Sequence, residues 1–445
     1  MIYSYIKTAL RNIHRHRGFS FINVFGLALS MSVCLLIILV INDQLSYDDF
    51  HENRKRIYRV LTNNERSSEL VTRFASTALP LGYVLEENDD LVESVAIFNT
   101  RLGGDWKANE KVIPVEGFYA NTDFFKVFDF EVTGRAREDL LREPRTVVLR
   151  EKAARKFFGD ANPIGKIIEV DTLGGFTITG IIPESKNKSH LRFEALVSME
   201  SMPFNWYDNW TQVWASYAYV MVNEGVRPEQ FEPTFARLSK DHYSNDPDHD
   251  YTFSLQALSD ICPGPVLGNE PGFFLPNIFV YAMAGLAFLV IISAAFNYTN
   301  LSLAKSLTRT GEIGVRKVAG ASRGQIFVQF LIESVIIALI SLVLAYLVLQ
   351  FLSPAFSRMR FMSMLEINPS ENARIYIYFL LFAIFTGLVA GFLPALYVSS
   401  FNTVNIFKAS GRLKIFSRTT LRKGLVVAQF TISMVLIVTI ILLIR

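Results

Sequence analysis

The chain has 445 residues, of which 51% are hydrophobic and only 19% are charged. Its formal net charge of +3 combines two opposed parts: residues 43–275 carry 25 basic and 37 acidic side chains, and the remainder carries 19 and 4. A nucleic-acid-binding protein concentrates basic residues on its folded domain. The long polar part of this chain is acidic instead, so we expect no nucleic acid partner and predict a membrane protein with one large polar domain.

The N-terminal 18 residues contain four basic side chains and no acidic one. Apolar residues alternate with them, which is typical of an amphipathic helix at a membrane surface. Residues 19–41 are mostly apolar and long enough to cross a bilayer at about 1.5 Å per residue. A cleaved signal peptide is the alternative, but the apolar run is too long and no small-residue cleavage site follows it. We therefore predict a retained first span.

Residues 43–275 are predicted to form an α+β domain inserted between the first and second spans. Hydrophobic alternation predicts strands at 56–62, 92–99, 111–119, 166–170, 176–182, 213–222 and 251–258, and helical spacing predicts helices at 79–87, 151–158 and 228–242. The sequence does not indicate the order of the strands in the sheet.

The cysteine and histidine content of the chain indicates neither a disulfide nor a metal site. Cys34 lies in the first apolar run and Cys262 lies far from it, so a bond between them is not expected. His190 and the run His242–Asp250 contain ligand-type side chains, but a solvated polar loop is the simpler interpretation of the run. We predict no bound metal and find no catalytic constellation.

Four further apolar runs predict transmembrane helices at 278–296, 326–352, 375–396 and 425–444. The sequence therefore predicts a membrane helical bundle of about five spans. Gly387 and Gly391 in the fourth span permit close contact between helices.

Two polar residues, Asn297 and Glu333, are expected to lie at membrane depth. A charged carboxylate at the centre of a membrane helix costs about 2.5–3.5 kcal/mol. We therefore expect Glu333 to pair with a basic residue or to face another helix. Arg316, Lys317 and Arg323 are its candidate partners.

Basic residues also predict the orientation of the chain in the membrane. The segments 1–18, 299–325 and 397–424 together hold 15 Lys or Arg residues and one acid. By the positive-inside rule these segments are cytoplasmic. The N-terminus is then inside and residues 43–275 are extracytoplasmic.

The most informative stretch is GEIGVRKVAGASRGQ, at 311–325 between the second and third predicted spans. Thr310 is a candidate N-cap. Glu312 and Arg316 stand four residues apart, in the acid-before-base order that stabilises a helix. Gly320 can end this helix in a left-handed conformation. The pattern predicts a short helix that stops at a tight turn.

The turn is followed by a second cap pattern. Ser322 and Gln325 have the spacing of a capping box, which would begin the third span. An ordinary basic loop is the alternative interpretation of the segment. The two caps favour instead a small rigid lever between two membrane spans.

The sequence of this stretch closely resembles the cytoplasmic loop of MacB/FtsX/LolC-type ABC transporter permeases, the FtsX-like permease family. In that family a REIG-x-RR-x-x-GAS pattern precedes the third span. The matching residues are Glu312, Ile313, Gly314, Arg316, Lys317, Gly320, Ala321 and Ser322. Three ordered stretches also resemble the family's MacB-like extracytoplasmic core domain: Asp123–Arg135, Glu151–Ile168 and Phe176–Phe193.

The resemblance implies a non-catalytic permease subunit in the cell inner membrane. Its cytoplasmic coupling segment, 299–325, would meet a separate ABC ATPase, whose ATP-driven dimerisation would move the outer domain (mechanotransmission). The output would be export or the handling of a lipoprotein, peptide or drug. The implied partners are the ATPase, membrane lipids and a second permease unit in a homo- or pseudo-dimer.

In larger family members a second four-span unit begins with a basic stretch and a span, as residues 397–444 do here. The resemblance thus implies one unit plus the first span of another, in a truncated member or a fragment of a longer two-repeat permease.

ATP is expected to bind only to the partner, so no cofactor is predicted for this chain. The stretch GDANPIGK has five residues between its glycines and no Ser or Thr after the lysine, so it is not a phosphate-binding loop. The alternative function is a membrane-anchored receptor, signalling protein or cell-wall-enzyme regulator that acts through the extracytoplasmic domain. A secondary transporter is the less suitable alternative, because broken helices with polar groups are not evident.

Overall fold

The structure, a computed structural model, describes nearly the whole chain. The described residues are 2–64, 72–88, 90–170, 173–203, 205–244, 250–306, 309–357, 374–400 and 418–444. The chain divides into two compact units. One consists of Met1–Asp43 with Phe279–Arg445, and the other is Gln44–Ile278.

The first unit is helical. Its helices are α1 (Ile2–Arg15), α2 (Arg17–Leu45), α7 (Asn277–Ser306), α8 (Thr310–Val318), α9 (Arg323–Ser357), α10 (Arg374–Ser399) and α11 (Arg418–Ile444). Within the described residues, four of them (α2, α7, α9 and α10) are long and apolar enough to cross a membrane. The apolar part found in α11, Lys423–Val435, is shorter than a span, so the fifth span stays a prediction.

The membrane helices extend beyond the apolar runs that predicted them. α7 continues about three turns past residue 296, and its Tyr298, Thr299 and Asn300 are buried against neighbouring helices. Of the polar loops, residues 358–373 and 401–417 lie outside the described residues.

Glycines set the distance between α9 and α10. A Cβ atom at Gly387 would lie 2.6 Å from Val335 Cα, and one at Gly391 would lie 2.4 Å from Ser334 Oγ. No larger residue fits without separating the two helices, which confirms the predicted role of both glycines.

The second unit is an α+β domain built on one sheet. Its strands are β1 (Ile57–Asn64), β2 (Thr72–Phe74), β3 (Val92–Ala108), β4 (Lys111–Ala120), β5 (Thr133–Gly134), β6 (Thr146–Arg150), β7 (Ile167–Val170), β8 (Gly174–Ile182), β9 (Ala195–Ser198), β10 (Ser216–Val222) and β11 (Tyr251–Ala257). Its helices are α3 (Leu79–Glu86), α4 (Phe124–Val127), α5 (Glu151–Phe158) and α6 (Glu232–Tyr243).

In the described residues the main strand order is β11-β1-β10-β3-β4-β9-β6-β8-β5. β2 pairs with β1, and β7 pairs with both β3 and β8. The β4–β9 and β6–β8 pairs are parallel and the others are antiparallel. Both faces of the sheet are covered, so alternate residues of β10 enter two cores: Ala218 and Val220 one, and Tyr217 and Tyr219 the other.

The predicted strands and helices of this domain are confirmed within a few residues at their ends, except that β3 continues to Ala108, nine residues past the predicted end at 99. Four strands, β2, β5, β6 and β9, were missed. β6 and β9 are buried along almost their whole length, so they lack the alternation that marks a half-exposed strand.

Both cysteines are free and buried, as predicted. The polar run 242–250 lies mostly outside the described residues, because 245–249 are not among them. His190 is buried.

Candidate coupling site

The geometry of α8 and its two caps follows from local sequence. Arg316 Nη2 lies 2.7 Å from Glu312 Oε1, which confirms the predicted helical pair. Gly320 has a φ of +92° and follows the C-cap Ala319. Its N–H bonds to the Lys317 carbonyl, and the next N–H, that of Ala321, bonds to the Arg316 carbonyl. This pair of bonds is a Schellman motif, which satisfies carbonyls left free at a helix end.

The second cap is also formed. The Ser322 N–H donates to Gln325 Oε1 at 2.9 Å, and the Gln325 N–H donates to Ser322 Oγ at 3.3 Å. This reciprocal arrangement is the predicted capping box. Thr310, in contrast, is the first helical residue, and Arg309 occupies the N-cap position without a side-chain cap bond. The N-cap prediction for Thr310 was therefore wrong by one residue.

One face of α8 is attached to the membrane helices. Ile313 is 3% exposed and packs with Ile326 of α9 and Val398 of α10. Arg316 Nη1 donates to Gln329 Oε1 of α9 at 2.7 Å, and Lys317 Nζ donates to the Ser399 carbonyl of α10 at 2.7 Å. Because these contacts reach two different spans, α8 cannot shift alone without breaking them.

Glu333 is buried in an ion pair with Arg309, the residue that precedes α8. Arg309 Nη1 lies 3.0 and 3.1 Å from the two carboxylate oxygens, and both residues are less than 10% exposed. The guanidinium also lies 4.7 Å from the Phe330 ring centroid. The expected partners Arg316, Lys317 and Arg323 were wrong, because α8 directs the first two toward Gln329 and α10 instead.

The same carboxylate reaches the N-terminal helix. Asn12 Nδ2 of α1 donates to Glu333 Oε1 at 3.0 Å. Asn297, the other predicted intramembrane polar residue, is half-buried in α7, and a Cβ atom at Gly26 of α2 would lie 3.5 Å from its Nδ2. Glu333 therefore joins α1, α9 and the start of α8, whereas Asn297 belongs to a separate contact between α2 and α7.

The opposite face of α8 is open. Val315 and Val318 are 63% and 68% exposed, and Glu312 is exposed beside them. The pKa of Lys317 is lowered by its burial and by the nearby Arg323. Neither valine was among the predicted site residues, although their spacing of three residues places them on one face of a helix.

The eight residues of the predicted site therefore divide into three groups. Ile313 and Gly314 are buried, whereas Arg316, Lys317 and Ala321 are half-buried. Glu312, Gly320 and Ser322 are exposed. The structure adds Arg309, Gln329 and Ser399, which only tertiary packing brings to the site.

Two family models match consecutive parts of the chain. The MacB-like periplasmic core domain matches residues 20–238, and the FtsX-like permease C-terminal domain matches residues 284–403. The chain belongs to the MacB/FtsX-type ABC transporter permeases. The second match contains α8, the Schellman turn that ends it and the capping box that begins α9. The site described above therefore lies inside the FtsX-like domain of the permease.

Relatives of the permease include two bacterial transport proteins. The uncharacterized ABC transporter permease YknZ of Bacillus subtilis is 25% identical over 208 residues, which cover 45% of this chain and 47% of that protein. The macrolide export ATP-binding/permease protein MacB of Haemophilus ducreyi is 27% identical over 231 residues, which cover 49% of this chain and 30% of that protein. The matches thus span less than half the length of these two relatives.

A solved structure is also similar to part of the permease. A domain of a permease protein from Porphyromonas gingivalis aligns with 21% identity and a TM-score of 0.41, covering 46% of this chain and 91% of that one.

Proposed function

We propose that the permease couples ATP hydrolysis by a separate ATPase subunit to movement of its outer domain, residues 44–278. The ATPase would bind the exposed face of α8 at the cytoplasmic side of the membrane. Its ATP-driven closure would push α8, and the connected spans would carry that motion to the other side. Export or handling of a lipoprotein, peptide or drug-like cargo would follow, with a second permease unit as partner in the membrane.

The observation that carries this proposal is the difference between the two faces of α8. One face is attached to α9 and α10 through Ile313, Arg316 and Lys317. The other face presents Val315 and Val318 to the surroundings. An anchored helix with an exposed apolar face is suited to receive a push and pass it to the spans that hold it.

The short connections of α8 add to this argument. Arg309, immediately before the helix, is paired with Glu333, and the Schellman turn after it leads directly into the capping box of α9. The ion pair and the turn hold the described residues at the two ends of α8, so a displacement of α8 would be passed on to α9.

The exposed valines provide the test. The permease is co-expressed with ABC ATPases from its own genome, and recovery of the ATPase and its hydrolysis rate in nanodiscs are measured. Val315→Glu and Val318→Glu should each weaken recovery about tenfold or more, since a charge placed in an apolar interface centre costs on the order of 1–2 kcal/mol.

The matched control is Val112→Glu, a similarly exposed valine (60%) in β4 of the outer domain. It should leave ATPase recovery unchanged. If both α8 variants bind the ATPase as well as the control does, α8 is not its docking site. The receptor or regulator alternative, which needs no ATPase contact, would then be favoured.

A further inference from the structure

A chain of buried polar side chains lies inside the outer domain. It begins in the segment that follows α2, where Asp48 is 3% exposed and has a positive φ of 57°. Aspartate is among the few residues that adopt this left-handed conformation readily. The Asp48 N–H donates to the Lys188 carbonyl at 2.8 Å, so backbone and side chain are both held inside the domain.

His190 is the next member. Its Nδ1 lies 2.7 Å from Asp48 Oδ2, its backbone N–H donates to the same oxygen, and its Nε2 lies 2.7 Å from the Tyr219 hydroxyl of β10. His51 Nε2 lies 3.5 Å from the other Asp48 oxygen. Burial opposes the ionisation of Asp48, but the two facing imidazoles lower its pKa below the usual range.

The chain continues through Arg59 of β1, whose side chain is fully buried. Arg59 stands directly opposite Tyr219 in the register of β1 and β10, and its guanidinium interacts electrostatically with the buried hydroxyl. It also donates to both carboxylate oxygens of Glu270, at 2.6 and 3.0 Å, and to Gln256 at 2.7 Å. Glu270 lies seven residues before α7 begins.

The two ring nitrogens of His190 face the Asp48 carboxylate and the Tyr219 hydroxyl, so the imidazole links the segment after α2 to β10. On the neighbouring strand β1, Arg59 links the same part of the sheet to Glu270. Loss of the Tyr219 hydroxyl would remove the partner of the buried His190 Nε2.

The polar relay, defined as Asp48, His190, Tyr219, Arg59 and Glu270, connects two parts of the chain that adjoin the membrane helices. These connecting segments are 44–52, which includes the last two residues of α2, and 262–276, immediately before α7. A direct bond also joins them, because Gln44 Oε1 accepts the Leu275 N–H at 2.7 Å. The Cys262 thiol lies 3.5 Å from the same oxygen.

We propose that the polar relay ties the two connecting segments into one mechanical body, with Asp48 and His190 as positioning residues. Force that arrives along α2 or α7 would then act on the central strands β1 and β10 together. The role in force transmission rests on the proposed function, whereas the tie itself is measurable without an ATPase.

Tyr219→Phe is the sharpest test, because it removes only the hydroxyl in the middle of the relay. The ring remains able to stack on Phe98 and to contact Phe128. Tyr119→Phe, at a buried tyrosine of β4 outside the relay, is the matched control. The reporter is the native Cys262, in a full-length Cys34→Ala background in nanodiscs.

The labelling rate of Cys262 with a maleimide should rise about tenfold in Tyr219→Phe and stay unchanged in Tyr119→Phe. Hydrogen exchange should increase in 44–52 and in 262–276 together. Equal labelling rates in the two variants would overturn the tie, as would faster exchange in only one segment. A uniform increase of hydrogen exchange that includes β6 and β8 would show a general loss of stability. That result would also overturn the proposed tie between the two segments. ATPase binding does not enter these measurements, so the proposed function can fail separately.

Discussion

The buried pair of Arg309 and Glu333 yields the most quantitative prediction. Glu333 accepts two bonds from Arg309 and one from Asn12, and neither partner of the ion pair is more than 10% exposed. Removing one charge from such a pair leaves the other buried and uncompensated, which costs about 3–5 kcal/mol. Replacing both charges with apolar residues of similar size is often neutral or stabilising.

We therefore expect Arg309→Met and Glu333→Leu each to destabilise the helical unit by about 3 kcal/mol or more. The double variant should recover most of that loss, so the coupling energy in a double-mutant cycle should be at least about 2 kcal/mol. The assay is unfolding of the full chain in detergent, followed by hydrogen exchange in α9.

The matched control is the exposed pair of Arg135 and Glu143 in the outer domain, at 3.0 Å. Its cycle should give between about 0 and 1 kcal/mol, because exposed pairs are screened by water. The reasoning would be refuted if the single variants at 309 and 333 cost less than about 1 kcal/mol, or if their costs simply add in the double variant.

Three further predictions follow from other parts of the chain. Arg316→Glu should reduce ATPase recovery while expression stays normal. The control Arg155→Glu, which breaks an i,i+4 ion pair of the same geometry in α5, should not reduce recovery. Equal recovery of the ATPase by the two variants would remove α8 from the coupling path. Burial lowers the pKa of His51, but two adjacent carboxylates raise it by a larger amount. The net shift of this pKa is therefore upward. The stabilising effect of His51 is complete below the ordinary histidine value and is lost as the pH rises through the raised one. The melting temperature of the outer domain should therefore fall as the pH rises above the ordinary histidine value, and His51→Gln should flatten that dependence. A periplasmic reporter fused after Asp105 should be active and one fused after Arg412 silent; the reverse result would overturn the orientation.

Local interactions explain what the sequence alone could determine. The apolar runs indicated the membrane helices because hydrophobicity over about 20 residues is a property of the segment itself. The caps of α8 and α9 could be predicted because they too depend only on the local segment. Glu312 with Arg316, Gly320, and Ser322 with Gln325 interact over three to five residues, so their spacing in the chain is also their spacing in the structure.

Partner choice over longer distances was decided only by tertiary packing. Glu333 had three plausible basic neighbours in sequence, yet it pairs with Arg309 and with Asn12, which is 321 residues away. The rotation of α8 about its axis determines which cation reaches the carboxylate, and that rotation depends on how Ile313 packs against two other helices.

Tertiary packing also decided features of the outer domain that the sequence did not indicate. The strands β6 and β9 lack a sequence signal because both of their faces are buried, and the order of the strands depends on pairings between distant segments. Asp48 and Glu270, at the two ends of the polar relay, are separated by more than 200 residues. Charge and polarity could mark each of them, but only the folded sheet brings them into one buried chain.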